Sequence, residues 1–212
     1  MSKTLAAALA GLGTAGVGGG IYLANRDTTS PVEKETLKSK LVKDRYTPLS
    51  SSNSDHQTHW DKSLEKYKVK HNNQPSYTDA KLKEMCNGLF EKENIKDEDY
   101  KIARKYCVVP RKISERLSDL KIKALSTTGS EDGVAEKWKK LAGEYKNKGT
   151  GDKQLNGLTH STVKDTGDEL KNKCGEVFDK EHWEENYDSL LDNAKLWCTE
   201  EGFNRLPVTE KQ

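Results

Sequence analysis

One eleven-residue pattern occurs twice, and any fold for this chain must house it twice. The first copy is Leu82-Lys83-Glu84-Met85-Cys86-Asn87-Gly88-Leu89-Phe90-Glu91-Lys92; the second is Leu170-Lys171-Asn172-Lys173-Cys174-Gly175-Glu176-Val177-Phe178-Asp179-Lys180. Both place apolar side chains at i, i+4, i+7 and i+8, one face of a helix. Downstream, Ala103-Arg104-Lys105-Tyr106-Cys107 matches Ala194-Lys195-Leu196-Trp197-Cys198. Upstream, Trp60 precedes Tyr67-Lys68 as Trp138 precedes Tyr145-Lys146. The offsets are 78, 88 and 91 residues, and the drift falls between the matched patterns, where loops accept insertions. All four cysteines occupy matched places, so the chain reads as a tandem repeat of one helical unit.

Hydrophobic and charged residues each make up 33% of the chain, which leaves a thin core for each repeat. Small cores of that kind usually need staples. The 36 basic and 34 acidic residues are interspersed, as on solvated helix surfaces, and announce no basic face for nucleic acid.

Residues 4–24 carry no charge and, as a helix, would span ~31 Å, about the thickness of bilayer hydrocarbon. The segment is rich in Ala and Gly, so its insertion would be marginal. A cut after Ala24 would put Tyr22 at −3, which disfavours cleavage and favours an uncleaved anchor over residues 1–24. Orientation is contested. Arg26, Lys34, Lys38, Lys40, Lys43 and Arg45 would hold the following chain in the cytoplasm, whereas paired cysteines would place it outside. Residues 25–57, with Pro31, Pro48 and a serine run, read as an extended, disordered linker, with at most a loose helix over Glu33 to Arg45.

The first repeat is predicted over 58–126. Trp60, Leu64 and Tyr67 form the first stripe, then the Cys86 helix capped by Ser76 or Thr78, then a helix from Asp97 to Cys107. Ile113, Leu117, Leu120 and Leu125 make a connecting helix after Pro110. The second repeat is predicted over 130–207, with Ser130 as a cap and Trp138, Leu141 and Tyr145 on one stripe. Thr166-Gly167-Asp168-Glu169 reads as a capping box. One last helix, from about Glu184 to Glu201, is ended by Gly202, and 208–212 form a tail. Strand signals are close to absent. The expected fold is all-α: an N-terminal membrane helix, a linker, and two three-helix repeats. The expected repeat core includes Trp60, Tyr67, Leu82, Phe90, Trp138, Tyr145, Leu170, Phe178 and Trp197.

The cysteines carry the clearest chemistry. Cys86 and Cys107, and Cys174 and Cys198, lie on successive helices that a short turn would lay side by side. A disulfide within each repeat would close loops worth about 3 kcal/mol each in the loop-entropy account. Free buried thiols are the competing reading, since Cys packs well as a small apolar residue. No Cys-x-x-Cys supports a metal site. His56 and His59, with Asp55 and Asp61, could hold a metal weakly but read first as surface decoration, and none of the five histidines, His71, His160 and His182 included, has a counterpart across the repeats. No nucleophile elbow, phosphate loop, dinucleotide fingerprint or zinc-protease helix occurs, so no catalytic, cofactor or metal residue is identified.

The Ala/Gly-rich start Met1–Gly20, the Lys/Glu-rich remainder and Ala103-Arg104-Lys105-Tyr106-Cys107-Val108-Val109-Pro110 resemble the large paralogous families of short proteins in haemotropic mycoplasmas. The resemblance spans the chain. It implies an exported or surface-displayed protein of a wall-less bacterium living on red cells, and it carries over no site residues. The leading expectation is therefore a non-enzymatic, single-pass membrane protein with an extracellular soluble part, or a secreted one if the start is cleaved. Its partners would be the membrane, through residues 4–24, and a host-surface component or another protein. The alternatives are a cytoplasm-facing scaffold with free thiols and, more remotely, an enzyme with an unrecognised site.

Overall fold

A computed structural model of the chain describes residues 34–129 and 133–207. Among them the fold is all-helical: α1 (Leu37–Lys43), α2 (Gln57–Lys70), α3 (Asp79–Phe90), α4 (Asp97–Tyr106), α5 (Ile113–Asp119), α6 (Val134–Lys148), α7 (Asp168–Phe178), α8 (Tyr187–Trp197) and α9 (Glu200–Asn204). Among the described residues no helix is long and apolar enough to cross a membrane. The expected anchor at 4–24, the tail at 208–212 and the Ser130 cap lie outside the described residues.

The expected linker is corrected over residues 34–57. A capping box between Thr36 and Ser39 starts α1, and Leu37 and Leu41 are both fully buried. Two leucines one turn apart suffice here because the first core receives them whole, so a mostly charged segment still orders. The connecting helix is corrected as well, because α5 stands to the second core as α1 does to the first. Leu37 N–H donates to the Lys92 carbonyl (2.8 Å), and Ile113 N–H to that of Lys180 (3.1 Å). Leu49 N–H donates to the Cys107 carbonyl (2.8 Å), and Leu125 N–H to that of Cys198 (2.9 Å). The indole of Trp60 donates to the Ser50 carbonyl at 3.4 Å, and that of Trp138 to the Ser126 carbonyl at 3.1 Å. Arg45 and Lys121, one residue past the caps of α1 and α5, share a left-handed backbone, φ 62° and 61°. Each repeat thus has four helices, α1–α4 and α5–α8, where three were expected.

The buried apolar residues gather into two clusters, one for each repeat. Trp60, Leu82 and Phe90 lie in the first, with Tyr67 half-buried against it; Trp138, Tyr145, Leu170 and Trp197 lie in the second, with Phe178 half-buried. The cysteine sulfurs stand at disulfide distance in the pairs Cys86–Cys107 and Cys174–Cys198, with Cα atoms 5.4 and 5.6 Å apart. All four side chains are fully buried.

Two local expectations also change. The cap of α7 is Gly167 itself, φ 81°, with no side-chain bond to the helix. A Cβ there would lie 2.7 Å from the Trp138 carbonyl, so the approach of α7 to α6 requires glycine. The single last helix is instead two. The Cys198 carbonyl is taken by Leu125 N–H, and the chain turns at Thr199, whose hydroxyl accepts from Gly202 N–H to cap α9. Gly202 therefore lies within α9 rather than ending α8.

The drift between the copies locates what is new in the second repeat. Ten extra residues between α6 and α7 bury Leu155, Leu158 and Val163 over Tyr145 and Trp197. The Tyr145 hydroxyl donates to the Leu158 carbonyl (2.7 Å) and accepts from Leu155 N–H (3.0 Å). Three more residues between α7 and α8 bring in His182 and Trp183, which meet the first repeat.

Candidate functional site

The seam between the repeats is where polar and charged side chains converge. Trp183 packs against the first core and donates its indole N–H to the Lys105 carbonyl (3.1 Å). His182, 7% exposed, sets Nε2 2.9 Å from the Arg104 carbonyl. A carbonyl can only accept, so Nε2 carries the proton, and the buried Nδ1 is left without a partner. Burial, with the positive charges of Arg104 and Arg116, lowers the pKa of this imidazole to about 4, against the opposing effect of the Arg104 carbonyl. The Tyr187 hydroxyl donates to the Arg111 carbonyl (2.8 Å), and burial raises its pKa.

Arg116 is the most buried cation of the seam, 3% exposed. It reaches across from α5 and donates to the carbonyls of Arg45 (2.6 Å) and Asp44 (2.7 Å). Its guanidinium stacks on the Tyr46 ring at 3.6 Å, and its Nε has no acceptor. Arg104 on α4 makes a bidentate pair with Asp188 on α8. Burial works against the charge of Arg104, yet the bond to Asp188 and the neighbouring Tyr46 hold its pKa above the usual value. The Tyr100 hydroxyl donates to Asp44 Oδ2 at 2.5 Å, and burial together with that carboxylate raises its pKa.

These groups wall an open cleft of about 460 Å³ with faces from both repeats. Its cations are Lys43, Arg45, Arg104, Arg116 and Lys195, against Asp44, Asp188 and Asp192. The cleft can hold a small polar ligand by charge and hydrogen bonding; its lining shows no nucleophile–base pair.

Of the residues singled out from sequence, His182 lies at the seam and the others lie elsewhere. The four cysteines and the aromatic positions are spent on the two cores, not on the seam. His56 accepts the Ser50 N–H through Nδ1 (2.9 Å), and His59 stands near it with ring centroids 6.2 Å apart. Among the described residues no group of three His, Cys, Asp or Glu could hold a metal ion. Arg45, Arg104, Arg116, Tyr187 and Asp188 were not read from sequence as site residues. The one available signal was the step in offset from 88 to 91, which marks the inserted His182 and Trp183. No family model, curated protein or solved structure matches the chain.

Proposed function

We propose that the chain is a non-enzymatic binding protein, displayed outside the cytoplasm and anchored through residues 4–24, with the seam cleft as its ligand-facing surface. The observation that carries the reading is that the four cysteines stand as two pairs at disulfide distance, one pair at the same place in each repeat. Disulfides persist in oxidising surroundings and are rare where thioredoxin and glutathione keep thiols reduced. The uncharged start and the resemblance of Ala103–Pro110 and Met1–Gly20 to exported families favour the same placement.

The test is intact mass after alkylation, with and without reductant, on the protein taken from native membranes. No label before unfolding and reduction, and four labels after, is the expected result. Four labels on the unfolded but unreduced protein would overturn it. They would favour a cytoplasm-facing scaffold, for which the basic flank from Arg26 to Arg45 speaks. Display is tested separately. Protease added to intact cells is expected to remove the part after residue 33, and an untouched chain would refute exposure on the surface.

A further inference from the structure

We propose that the seam cleft binds a phosphate-type oxyanion, held by Arg45 in a field set by the buried Arg116. This inference rests on reading the chain as a binding protein, and not on where the chain is displayed.

The first support is the state of the charges around the cleft. Each lining carboxylate is already engaged. Asp188 is held by Arg104, Asp192 by Lys195 at 2.9 Å, and Asp44 by the Tyr100 hydroxyl and by Lys40 at 3.4 Å. Among the described residues, the guanidiniums of Arg45 and Arg116 have no carboxylate partner. Arg116 gives its Nη donors to two carbonyls, which satisfy hydrogen bonds without cancelling the charge. A buried positive charge of this kind beside an open cleft favours a mobile anion within it.

The second support is the placement of Arg45 at the cleft with donors to spare. Its φ of 62° is a conformation that glycine or asparagine adopts more readily than arginine. The Arg45 Nη1 donates to the Asp119 carbonyl across the seam (3.3 Å), and Arg45 lines the cleft. The remaining donors make no bond to the described residues and form the planar fork that suits a phosphate oxygen pair. Lys121, the matched residue of the second repeat, shares the backbone and lies outside the cleft lining. It is therefore a built-in control.

The experiment titrates the full chain with sodium pyrophosphate and with glycerol phosphate by calorimetry, at fixed ionic strength against chloride. In parallel, the chain is sedimented with vesicles of phosphatidylglycerol or of phosphatidylcholine. Arg45→Ala is expected to weaken binding at least about tenfold, a loss of the size a charge-assisted contact supplies. Lys121→Ala should leave binding unchanged. If Arg45→Ala fails to fold by circular dichroism, Lys43→Ala takes its place, with a loss of roughly threefold expected for a more exposed cation. Arg45-dependent binding of the soluble phosphates identifies a free ligand. Arg45-dependent binding confined to phosphatidylglycerol vesicles identifies a lipid headgroup, and either outcome upholds the proposal. No binding, or binding that both variants keep or lose alike, overturns it. Failure here leaves the thiol and protease results standing, and free thiols would unseat the placement without touching the cleft.

Discussion

A histidine folded away with one nitrogen unpartnered has consequences as the medium becomes acidic, and His182 is such a residue. In the unfolded chain it titrates near its ordinary value of 6.5, and in the fold near 4. Above pH 6.5 both states are neutral and the shift costs nothing. As pH falls through 6.5 the unfolded chain takes up a proton that the folded chain refuses until about 4, so stability declines across that window. The decline should reach about 2 kcal/mol between pH 7.5 and 5 by linkage. Urea melts at the two pH values measure it. His182→Gln, whose Nε2 can stand where the imidazole Nε2 does and keep a donor for the Arg104 carbonyl, should show a correspondingly flatter dependence; equal slopes in the two proteins would assign the effect to other groups. A second expectation concerns Lys121, which holds a left-handed backbone without touching the cleft. Lys121→Gly relieves that strain, partly offset by the freer unfolded chain, for a net gain of up to about 1 kcal/mol in the same melts.

At the scale of elements, what the sequence disclosed follows from how each helix finds its core. Helices α3, α4, α7 and α8 were legible because each has apolar residues on one stripe and a recurring cysteine, within α3 and α7 and just past the end of α4 and α8. Helix α1 was not, because Leu37 and Leu41 stand alone among lysines and no window around them looks like a core face. The missing clue was comparative. Leu37, Leu41 and Leu49-Ser50 match Ile113, Leu117 and Leu125-Ser126 at a constant offset of 76, which would have extended the repeat upstream. If α1 is a core element, Leu37→Ala should cost about 2–5 kcal/mol, as truncation of a fully buried leucine does. A solvated linker would lose almost nothing, so one denaturation curve separates the two. Gly167→Ala tests a different element contact. It sets a Cβ against the Trp138 backbone and forces a left-handed residue, and it should destabilise by about 1–3 kcal/mol. Beyond the three-residue insertion that brings His182 and Trp183, the seam left no mark in the sequence. It depends on how two repeats dock, and nothing in the periodicity of either repeat encodes that.

For the whole molecule, the two repeats do not contribute equally. Among the described residues the second core holds twenty buried apolar residues and the first thirteen. Much of the difference comes from the ten-residue insertion with Leu155, Leu158 and Val163, for which the shorter first repeat has no equivalent. The seam joining the repeats is largely polar, with Trp183 its main apolar contact, so it transmits limited stability from one core to the other. Buried area is the dominant favourable term, and a smaller core leaves less margin once a cross-link is removed. The staple in the first repeat therefore matters more than the one in the second. Replacing Cys86 and Cys107 by Ser should remove about 3 kcal/mol of loop-closure stabilisation from the weaker half. Thermal unfolding should then split into two steps, with the near-ultraviolet signal of Trp60 lost before that of Trp138 and Trp197. Replacing Cys174 and Cys198 should lower the melting temperature while the chain still unfolds in one step, because the first half cannot outlast the second by much. A single transition for the first variant, or a split for the second, would mean that the seam couples the repeats more tightly than its polar contacts imply.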